Sequence, residues 1–308
     1  MTAKIIDGNA VARSLRADLK TRLEKWATET GTVPGLAVLL VGDDPASAIY
    51  VRNKARACDS VGIRSFRRHL PAATDTDALI GEIRSFNADP QIHGILVQLP
   101  LPAHVDSARV LGSISVDKDV DGFHLYNVGS LAVGTSVFPP CTPYGVVKLL
   151  DHELIPIEGQ NVVVVGASNI VGKPMGLMLM RRDATVTICH VKTRDLAQFT
   201  ILADILIVAA GKPRLILPQM VRTGAVVIDV GINRLPDGSL VGDVDFEGVR
   251  AKASYITPVP GGVGPMTITM LLENTFAAAV RRMTGGPQAD RGNLDELAAR
   301  EDTGNPRL

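Results

Sequence analysis

The spacing of apolar residues predicts a helix near the start of the chain and a buried strand after it. Apolar side chains recur every three or four positions from Asn9 to about Thr30, which is the period of an amphipathic helix. Gly31 and Pro34 end this helix. The continuous apolar run Leu36–Val41, between two glycines, is typical of a strand buried in a parallel sheet.

The alternation of helices and strands continues through the first half of the chain. The segment Asp44–Ser47 predicts the start of a second helix, which ends at Gly62. Strands that are separated by helices are joined by crossover connections, so we expect a mainly parallel sheet. The later elements of this half are strands near Arg64–Leu70 and Gly94–Leu99 and a helix near Thr76–Phe86.

A proline-rich segment, Phe138–Pro143, separates two halves that show this alternation. Proline lacks a backbone N–H, so we expect the segment to lie outside sheets and helices and to mark a domain junction. Beyond it, a helix is predicted to begin near Gly172, and a long helix, 265–283, is expected to return to the first domain. The predicted strands of this half are Asn161–Val165, Thr185–Cys189, Ile205–Ala210, Ala225–Val230 and Ser254–Thr257.

The predicted organisation is an α/β fold of two domains with a tail. At 308 residues the chain has the length of two domains of roughly 150 residues each. An N-terminal α/β domain with a mainly parallel sheet would span residues 1–138, joined by the returning helix. A C-terminal Rossmann-like dinucleotide-binding domain would span 139–264. Residues 284–308 are rich in glycine, proline and charge, and we expect them to be disordered.

Composition and charge exclude several classes of protein. Lysine plus arginine equal aspartate plus glutamate at 32 each, and aromatic residues make up 4%, so no nucleic-acid partner is expected. No apolar run approaches the ~18 residues of a membrane helix, and the N-terminus does not resemble a signal peptide. We therefore expect a soluble, cytoplasmic protein without a membrane partner. The three cysteines and six histidines show no metal-ligand spacing, so no metal is expected.

The second half contains a candidate dinucleotide site. The strand Asn161–Val165 runs into Gly166-Ala167-Ser168, and a helix then starts at Gly172 and Lys173. A strand, a glycine turn and a helix N-terminus together present free backbone N–H groups to a pyrophosphate. Because the spacing is not G-x-G-x-x-G, an ordinary strand-to-helix connection is the alternative.

The end of the next strand favours NADP over NAD. Enzymes that prefer NAD usually carry an acidic residue there, which binds the ribose 2′-hydroxyl. Here no carboxylate precedes Asp195, and Lys192 and Arg194 lie close by. Cations at this edge suit a 2′-phosphate, although both could instead belong to a solvated loop.

The first half contains candidate catalytic residues. Tyr50 and Lys54 are four positions apart and share one helical face, with Cβ atoms ~5–6 Å apart. The ring could stack on a flat substrate while an amine of lowered pKa moves protons, but a surface pair is the alternative. Gln98 ends a buried strand, where ligands of parallel sheets bind, unless it satisfies local backbone. Short-chain dehydrogenases place Tyr-x-x-x-Lys after the dinucleotide turn, so they do not fit this order.

Six segments in a fixed order carry a resemblance to a known enzyme family. They are Tyr50–Lys54, His93–Pro102, Lys118–His124, Pro140–Pro143, Gly166–Pro174 and Pro258–Thr267. Together they resemble the bifunctional methylenetetrahydrofolate dehydrogenase/methenyltetrahydrofolate cyclohydrolase family. The likeness covers about residues 2 to 283.

The resemblance implies two linked reactions. NADP would oxidise 5,10-methylenetetrahydrofolate to 5,10-methenyltetrahydrofolate, and hydrolysis would then give 10-formyltetrahydrofolate. It also implies a homodimer joined through the dinucleotide domains, with folate in the cleft between the two domains of each chain. The alternatives are a dehydrogenase-only relative acting on folate or another pterin, and a non-catalytic NADP-sensing protein.

The resemblance also implies roles for individual residues. Lys54 would be the central catalytic residue, and Gln98 would hydrogen-bond it and help set its protonation. Tyr50 would stack on the folate ring system, and Asp121 would bind the pterin. Pro258 and Gly262 would shape the substrate cleft. The dinucleotide would contact Gly166, Ala167, Ser168, Gly172, Lys173 and Ile232.

Two cofactor positions depart from the pattern of some family members. Those members place arginine at the position of Ala167 and serine at that of Val191, where both contact the 2′-phosphate. Lys173 and Lys192 are candidates to compensate. NADP therefore remains the expected cofactor, and NAD the alternative.

Overall fold

The computed structural model describes residues 2–135 and 137–285, so all but the first two residues of the predicted tail 284–308 lie outside the described residues. These residues form a three-stranded sheet, a six-stranded sheet and a short two-stranded hairpin. Every pairing within the two larger sheets is parallel, which confirms the predicted α/β class. Among the described residues, no helix is long and apolar enough to cross a membrane.

The first sheet has the strand order β3-β2-β4. All seven residues of the central strand β2 are buried, as its continuous apolar sequence predicts. Asp44 accepts a hydrogen bond from the backbone N–H of Ser47 and so caps the following helix, which ends at Gly62 in the left-handed region. The elements are α1 (Gly8–Thr30), β2 (Gly35–Val41), α2 (Pro45–Val61), β3 (Arg64–Leu70), α3 (Thr76–Ala88) and β4 (Gly94–Val97).

This strand order creates a switch point between β2 and β4. The chain leaves β2 through α2 to reach β3 on one side, and then crosses through α3 to β4 on the other side. The connections therefore diverge at the carboxyl ends of β2 and β4, which is where open parallel sheets bind ligands. Lys54 of α2 and the residue after β4, Gln98, meet at this point.

Four short helical segments link the two sheets. Helix α6 begins at Cys141, so the expectation that the whole of Phe138–Pro143 avoids helices was wrong for its last three residues. Pro143 lies in the first helical turn, where a backbone N–H would have no partner within the helix. The segments are α4 (Ser107–Gly112), a 3-10 turn (Val116–Lys118), α5 (Leu125–Ala132) and α6 (Cys141–His152).

The second sheet has the strand order β1-β11-β8-β7-β5-β6. Apart from the added strand β1, this is the 2-1-3-4-5 order of doubly wound folds, whose ligand site lies between β5 and β7. Its strands are β1 (Lys4–Ile5), β5 (Asn161–Val165), β6 (Thr185–Cys189), β7 (Ile205–Val208), β8 (Val226–Asp229) and β11 (Tyr255–Ile256). The other elements are α7 (Gly172–Met180), α8 (Leu196–Thr200), a 3-10 turn (Pro218–Met220), the hairpin strands β9 (Asn233–Arg234) and β10 (Leu240–Val241), and α9 (Phe246–Arg250).

The first strand joins the sheet of the second half. Lys4 and Ile5 pair with Tyr255 and Ile256 of β11, although the predicted boundary assigned residues 1–138 to the first domain. A strand of two residues gives no periodicity from which its partner could be predicted. The rest of the predicted domain division stays a prediction.

A long helix, α10 (Val263–Thr284), packs against α1, α2 and α6. Its side chains Met270 and Leu272 are buried in the largest apolar cluster, which also includes residues of both sheets. Trp26 of α1 meets Phe276 edge to face, with ring centroids 5.6 Å apart. The returning helix thus contributes to an apolar core that includes residues of both sheets.

Two buried carboxylates organise the loops at the carboxyl edge of the second sheet. Asp243 is fully buried, and its oxygens accept hydrogen bonds of 2.7–2.8 Å from four donors. Asp229 accepts from three backbone N–H groups, and burial raises its pKa to about 7. The donors to Asp243 are the N–H groups of Ala210, Gly211 and Lys212 and the side-chain amide of Asn233.

The Asp243→Asn variant should be clearly less stable than the wild type. The new NH₂ group would face N–H donors, which should lower the free energy of unfolding by ~1–3 kcal/mol. Urea denaturation measures this change. Asp59→Asn removes the same charge from an exposed site on α2 and should shift stability by less than about 0.5 kcal/mol. Equal midpoints for the two variants would contradict the structural role of Asp243.

Candidate active site

The switch point of the first sheet brings Lys54 and Gln98 together. The ammonium of Lys54, which lies near the middle of α2, donates a hydrogen bond of 3.0 Å to Oε1 of Gln98. The Gln98 amide donates in turn to the carbonyl of Leu99 at 2.6 Å, which turns Oε1 toward the lysine. The alternative of a surface Tyr/Lys pair does not describe Lys54, which is only partly exposed and bonded to the buried Gln98.

Burial lowers the pKa of Lys54. Removal from water disfavours the charged ammonium, and only part of this effect is offset by the negative charge of Asp121 and by weaker contributions from Cys141 and Cys58. Because Gln98 supplies an uncharged acceptor, the ammonium remains hydrogen-bonded without a close salt bridge. A lysine in this environment loses its proton at a lower pH than an exposed lysine does, which favours a role in proton transfer.

Asp121 faces Lys54 from the loop before α5. Burial raises the pKa of its carboxyl, while the Lys54 charge and a hydrogen bond with Cys141 act in the opposite direction. The preceding turn is shaped by Asp119, which is buried and accepts hydrogen bonds from the N–H groups of Phe123 (3.2 Å) and His124 (2.8 Å). The Asp121 carboxyl is therefore presented from a rigid loop.

A cleft of about 770 Å³ opens between α2 and the carboxyl edge of the second sheet. Tyr50, which is 39% exposed, lines one wall, and Ile232, Pro258 and Gly262 line the other. The loop with Pro258 and Gly262 rests on the start of α1, where the N–H of Asn9 donates to the carbonyl of Gly261 at 3.1 Å. Sequence analysis missed several polar residues of this lining: Asn9, Arg16, Asn53, Arg56 and Arg234.

The connection between β5 and α7 is as tight as the dinucleotide interpretation requires. A Cβ on Gly166, whose φ is +121°, would lie 2.2 Å from the carbonyl oxygen of Ala209, just after β7. A Cβ on Gly172 would lie 1.9 Å from the Gly166 carbonyl oxygen. The turn sits at the β5–β7 switch point, and any side chain at these two positions would fill it. This geometry suits the close approach of a pyrophosphate to the backbone.

The polar residues of this turn have partners in the structure. The Ser168 hydroxyl oxygen accepts from the N–H of Val171 at 3.1 Å, so it helps to close the turn. Lys173 is exposed and donates to Oδ1 of Asn169 at 2.8 Å. Ala167 adds no polar group. None of the residues that line the cleft described above belongs to this turn.

Comparison with known proteins identifies the family. The model of the tetrahydrofolate dehydrogenase/cyclohydrolase catalytic domain matches residues 6–121, and that of the NAD(P)-binding domain of the same enzymes matches residues 140–283. The chain belongs to the tetrahydrofolate dehydrogenase/cyclohydrolase family. The resemblance inferred from six segments is thereby confirmed.

Relatives in this family match almost the entire chain. The bifunctional protein FolD of Nitrosospira multiformis is 63% identical over 91% of this chain and 96% of that protein. The crystal structure of the bifunctional FolD of Campylobacter jejuni has a TM-score of 0.89 at 51% identity, covering 91% of this chain and 99% of that one. FolD of Trypanosoma brucei, complexed with NADP and an inhibitor, has a TM-score of 0.89 at 39% identity, covering 92% and 99%.

Within the tetrahydrofolate dehydrogenase/cyclohydrolase fold, the candidate residues form three groups, of which the first lines the cleft: Tyr50, Ile232, Pro258 and Gly262. The other two groups lie outside this lining. Lys54, Gln98 and Asp121 meet at the first switch point, and the β5–α7 turn lies at the second. The individual roles of these residues stay predictions. No group of three potential metal-ligating side chains comes together in residues 2–135 and 137–285.

Gly172→Ala should weaken NADP binding. The added methyl group collides with the Gly166 carbonyl, so the turn must open and its N–H groups lose their alignment. We expect the dissociation constant for NADP, measured by calorimetry, to rise about tenfold or more, equivalent to at least ~1.4 kcal/mol. In the control, Gly129→Ala on α5, the new Cβ meets nothing within 4 Å, and affinity should be unchanged. Wild-type affinity in Gly172→Ala would refute the assigned role of the turn.

Proposed function

We propose that this protein oxidises 5,10-methylenetetrahydrofolate to 5,10-methenyltetrahydrofolate with NADP and hydrolyses the product to 10-formyltetrahydrofolate. The observation that carries the proposal is the buried Lys54 ammonium, bonded to Gln98 and facing Asp121, in a chain of the tetrahydrofolate dehydrogenase/cyclohydrolase family. The full-length relatives named bifunctional FolD support both activities.

In the dehydrogenase step the protein has to orient two flat rings. When bound, NADP supplies the acceptor for the hydride, and the tight Gly166–Gly172 turn fits its pyrophosphate. Tyr50 would stack on the folate from the cleft wall, and the Asp121 carboxylate would accept hydrogen bonds from the pterin amino and ring N–H groups. This step needs alignment more than acid–base assistance.

In the cyclohydrolase step the protein has to transfer protons between the water, the lysine and the substrate. The methenyl product is a cation, so a water oxygen can attack its one-carbon bridge without a metal. Neutral Lys54 would accept one proton from that water as its oxygen bonds to the bridge carbon. The resulting ammonium would donate this proton to the ring nitrogen as the carbon–nitrogen bond breaks, while the remaining hydroxyl proton is released to solvent and the formyl C=O bond forms. Gln98 would orient the Nζ atom throughout, because its Oε1 is a fixed acceptor 3.0 Å away.

The preference for NADP is supported by the end of β6. No acidic residue lies between Cys189 and Asp195, and Lys192 and Arg194 are exposed beside that strand end. The relative from Trypanosoma brucei is a complex with NADP. Val191 is 95% exposed, which leaves space for a 2′-phosphate beside it.

A homodimer joined through the dinucleotide domains is supported by exposed apolar side chains. Strand β6 forms an edge of the six-stranded sheet and has a free row of backbone groups. Near it, Ile188, Phe199, Ile201 and Leu202 are 38–64% exposed, which favours coverage by a second copy. We also propose that the enzyme acts in the cytoplasm.

The proposed function is tested by absorbance assays on one purified sample. We expect 5,10-methylenetetrahydrofolate with NADP to give NADPH, and 5,10-methenyltetrahydrofolate to be hydrolysed without any cofactor. NAD in place of NADP should support a lower rate. Dehydrogenase activity without hydrolysis would favour a dehydrogenase-only enzyme, and NADP binding without either activity would favour a sensor.

Lys54→Met should abolish the hydrolysis while leaving the cofactor site intact. Methionine retains most of the side-chain length but cannot accept a proton, so the cyclohydrolase rate should fall by about 10²-fold or more. NADPH binding, measured by calorimetry, should be unchanged. An exposed lysine on another helix, Lys20 of α1, provides the control Lys20→Met. Retained hydrolysis in Lys54→Met would remove Lys54 from the assigned role.

A further inference from the structure

A buried amide on α10 binds the loop that carries Asp121. Asn274 is 3% exposed, and its side-chain NH₂ group donates to the carbonyl oxygens of Val120 (2.8 Å) and Pro139 (3.0 Å). Val120 directly precedes Asp121, and Pro139 lies just before α6. One side chain therefore connects both loop segments to a helix that is distant in sequence.

The two segments also touch each other. Gly122 has a φ of +75°, and a Cβ there would lie 2.7 Å from the carbonyl oxygen of Phe138 and 2.8 Å from the nitrogen of Pro140. Buried carbonyl groups outside regular helices and sheets need donors from side chains. The Cys141 thiol offers Val120 a second, weaker donor at 3.3 Å. Asn274 supplies the amide donor for both segments.

We propose that Asn274 is a positioning residue for Asp121. By holding the Val120 carbonyl, it sets where the Asp121 carboxylate stands relative to the Lys54 ammonium and to the bound pterin. Asn274 is buried and its amide donates to two backbone carbonyl groups, so it acts on Asp121 through the backbone. The inference rests on the proposed function, because that function makes Asp121 a substrate contact.

Asn274→Leu tests this inference, since leucine has a similar size but no donor. A displaced Asp121 should bind the pterin less well, so we expect KM for 5,10-methylenetetrahydrofolate to rise about tenfold. The dissociation constant for NADP, measured by calorimetry, should change less than about twofold. A loss of general stability would not separate substrate from cofactor in this way.

The pH profile of the hydrolysis gives a second readout. Lys54 is faced by Asp121, Cys141 and Cys58, and the negative charge of Asp121 raises the lysine pKa. If Asp121 moves away in Asn274→Leu, the lysine loses this neighbouring charge. The inflection that Lys54 contributes to the cyclohydrolase profile should therefore shift to lower pH.

Thr275→Val is the matched control on the same helix. Thr275 is fully buried, and its hydroxyl donates at 2.7 Å to the carbonyl of Leu271 within α10. This variant should lose stability without any change in KM or pH profile. Should Asn274→Leu fail to fold, Asn274→Ser retains a shorter donor and should show the same changes to a smaller degree.

The outcomes separate the inference from the function on which it rests. If the wild-type enzyme is active and both Asn274 variants keep its KM and its pH profile, Asn274 is only structural and the inference is wrong. If the wild-type enzyme acts on neither folate, the proposed function is wrong, and the inference is refuted with it.

Discussion

The candidate site depends on one interaction, the hydrogen bond between the buried Lys54 ammonium and Gln98. A buried charge requires a partner, and a carboxylate at hydrogen-bonding distance would stabilise the ammonium and raise the pKa of the lysine. The uncharged amide of Gln98 instead accepts a hydrogen bond from the ammonium and places no negative charge beside it. Asp121 contributes a charge that offsets the effect of burial only in part. The lysine thus keeps the lowered pKa that proton transfer requires.

The topology of the first sheet explains why these side chains meet. In the order β3-β2-β4, helix α2 follows β2, and β4 is the neighbour of β2, so Lys54 of α2 and Gln98 at the end of β4 approach although they are 44 positions apart. The second sheet repeats this arrangement, with a switch point between β5 and β7 and a turn too tight for side chains at Gly166 and Gly172. Helix α10 packs against elements of the first half and begins in the loop that lines the cleft. The cleft is therefore lined by residues of α1 and α2, of the loops at the carboxyl edge of the second sheet and of the start of α10.

Much of this could be predicted from the sequence, because strand and helix periodicities are local. The strands Arg64–Leu70, Asn161–Val165 and Thr185–Cys189 have the predicted bounds. The partner of the two-residue strand β1 could not be predicted, because so short a segment has no period. The start of α6 at Cys141 was also missed. Proline usually breaks a helix, but it is accommodated in the first helical turn, where Pro143 lies. Contacts such as Asn274 to Val120 depend on how distant segments pack, which no local pattern reveals.

Lys54 should titrate at a lower pH than an ordinary lysine, because its ammonium is removed from water beside a neutral acceptor. The direct measurement is a pH titration of lysine side chains labelled with carbon-13 at Cε, followed by NMR, with the Lys54 signal assigned by its loss in a Lys54 variant. We expect a Lys54 pKa clearly below that of the exposed lysines. A Lys54 signal that titrates together with the surface lysines would contradict it.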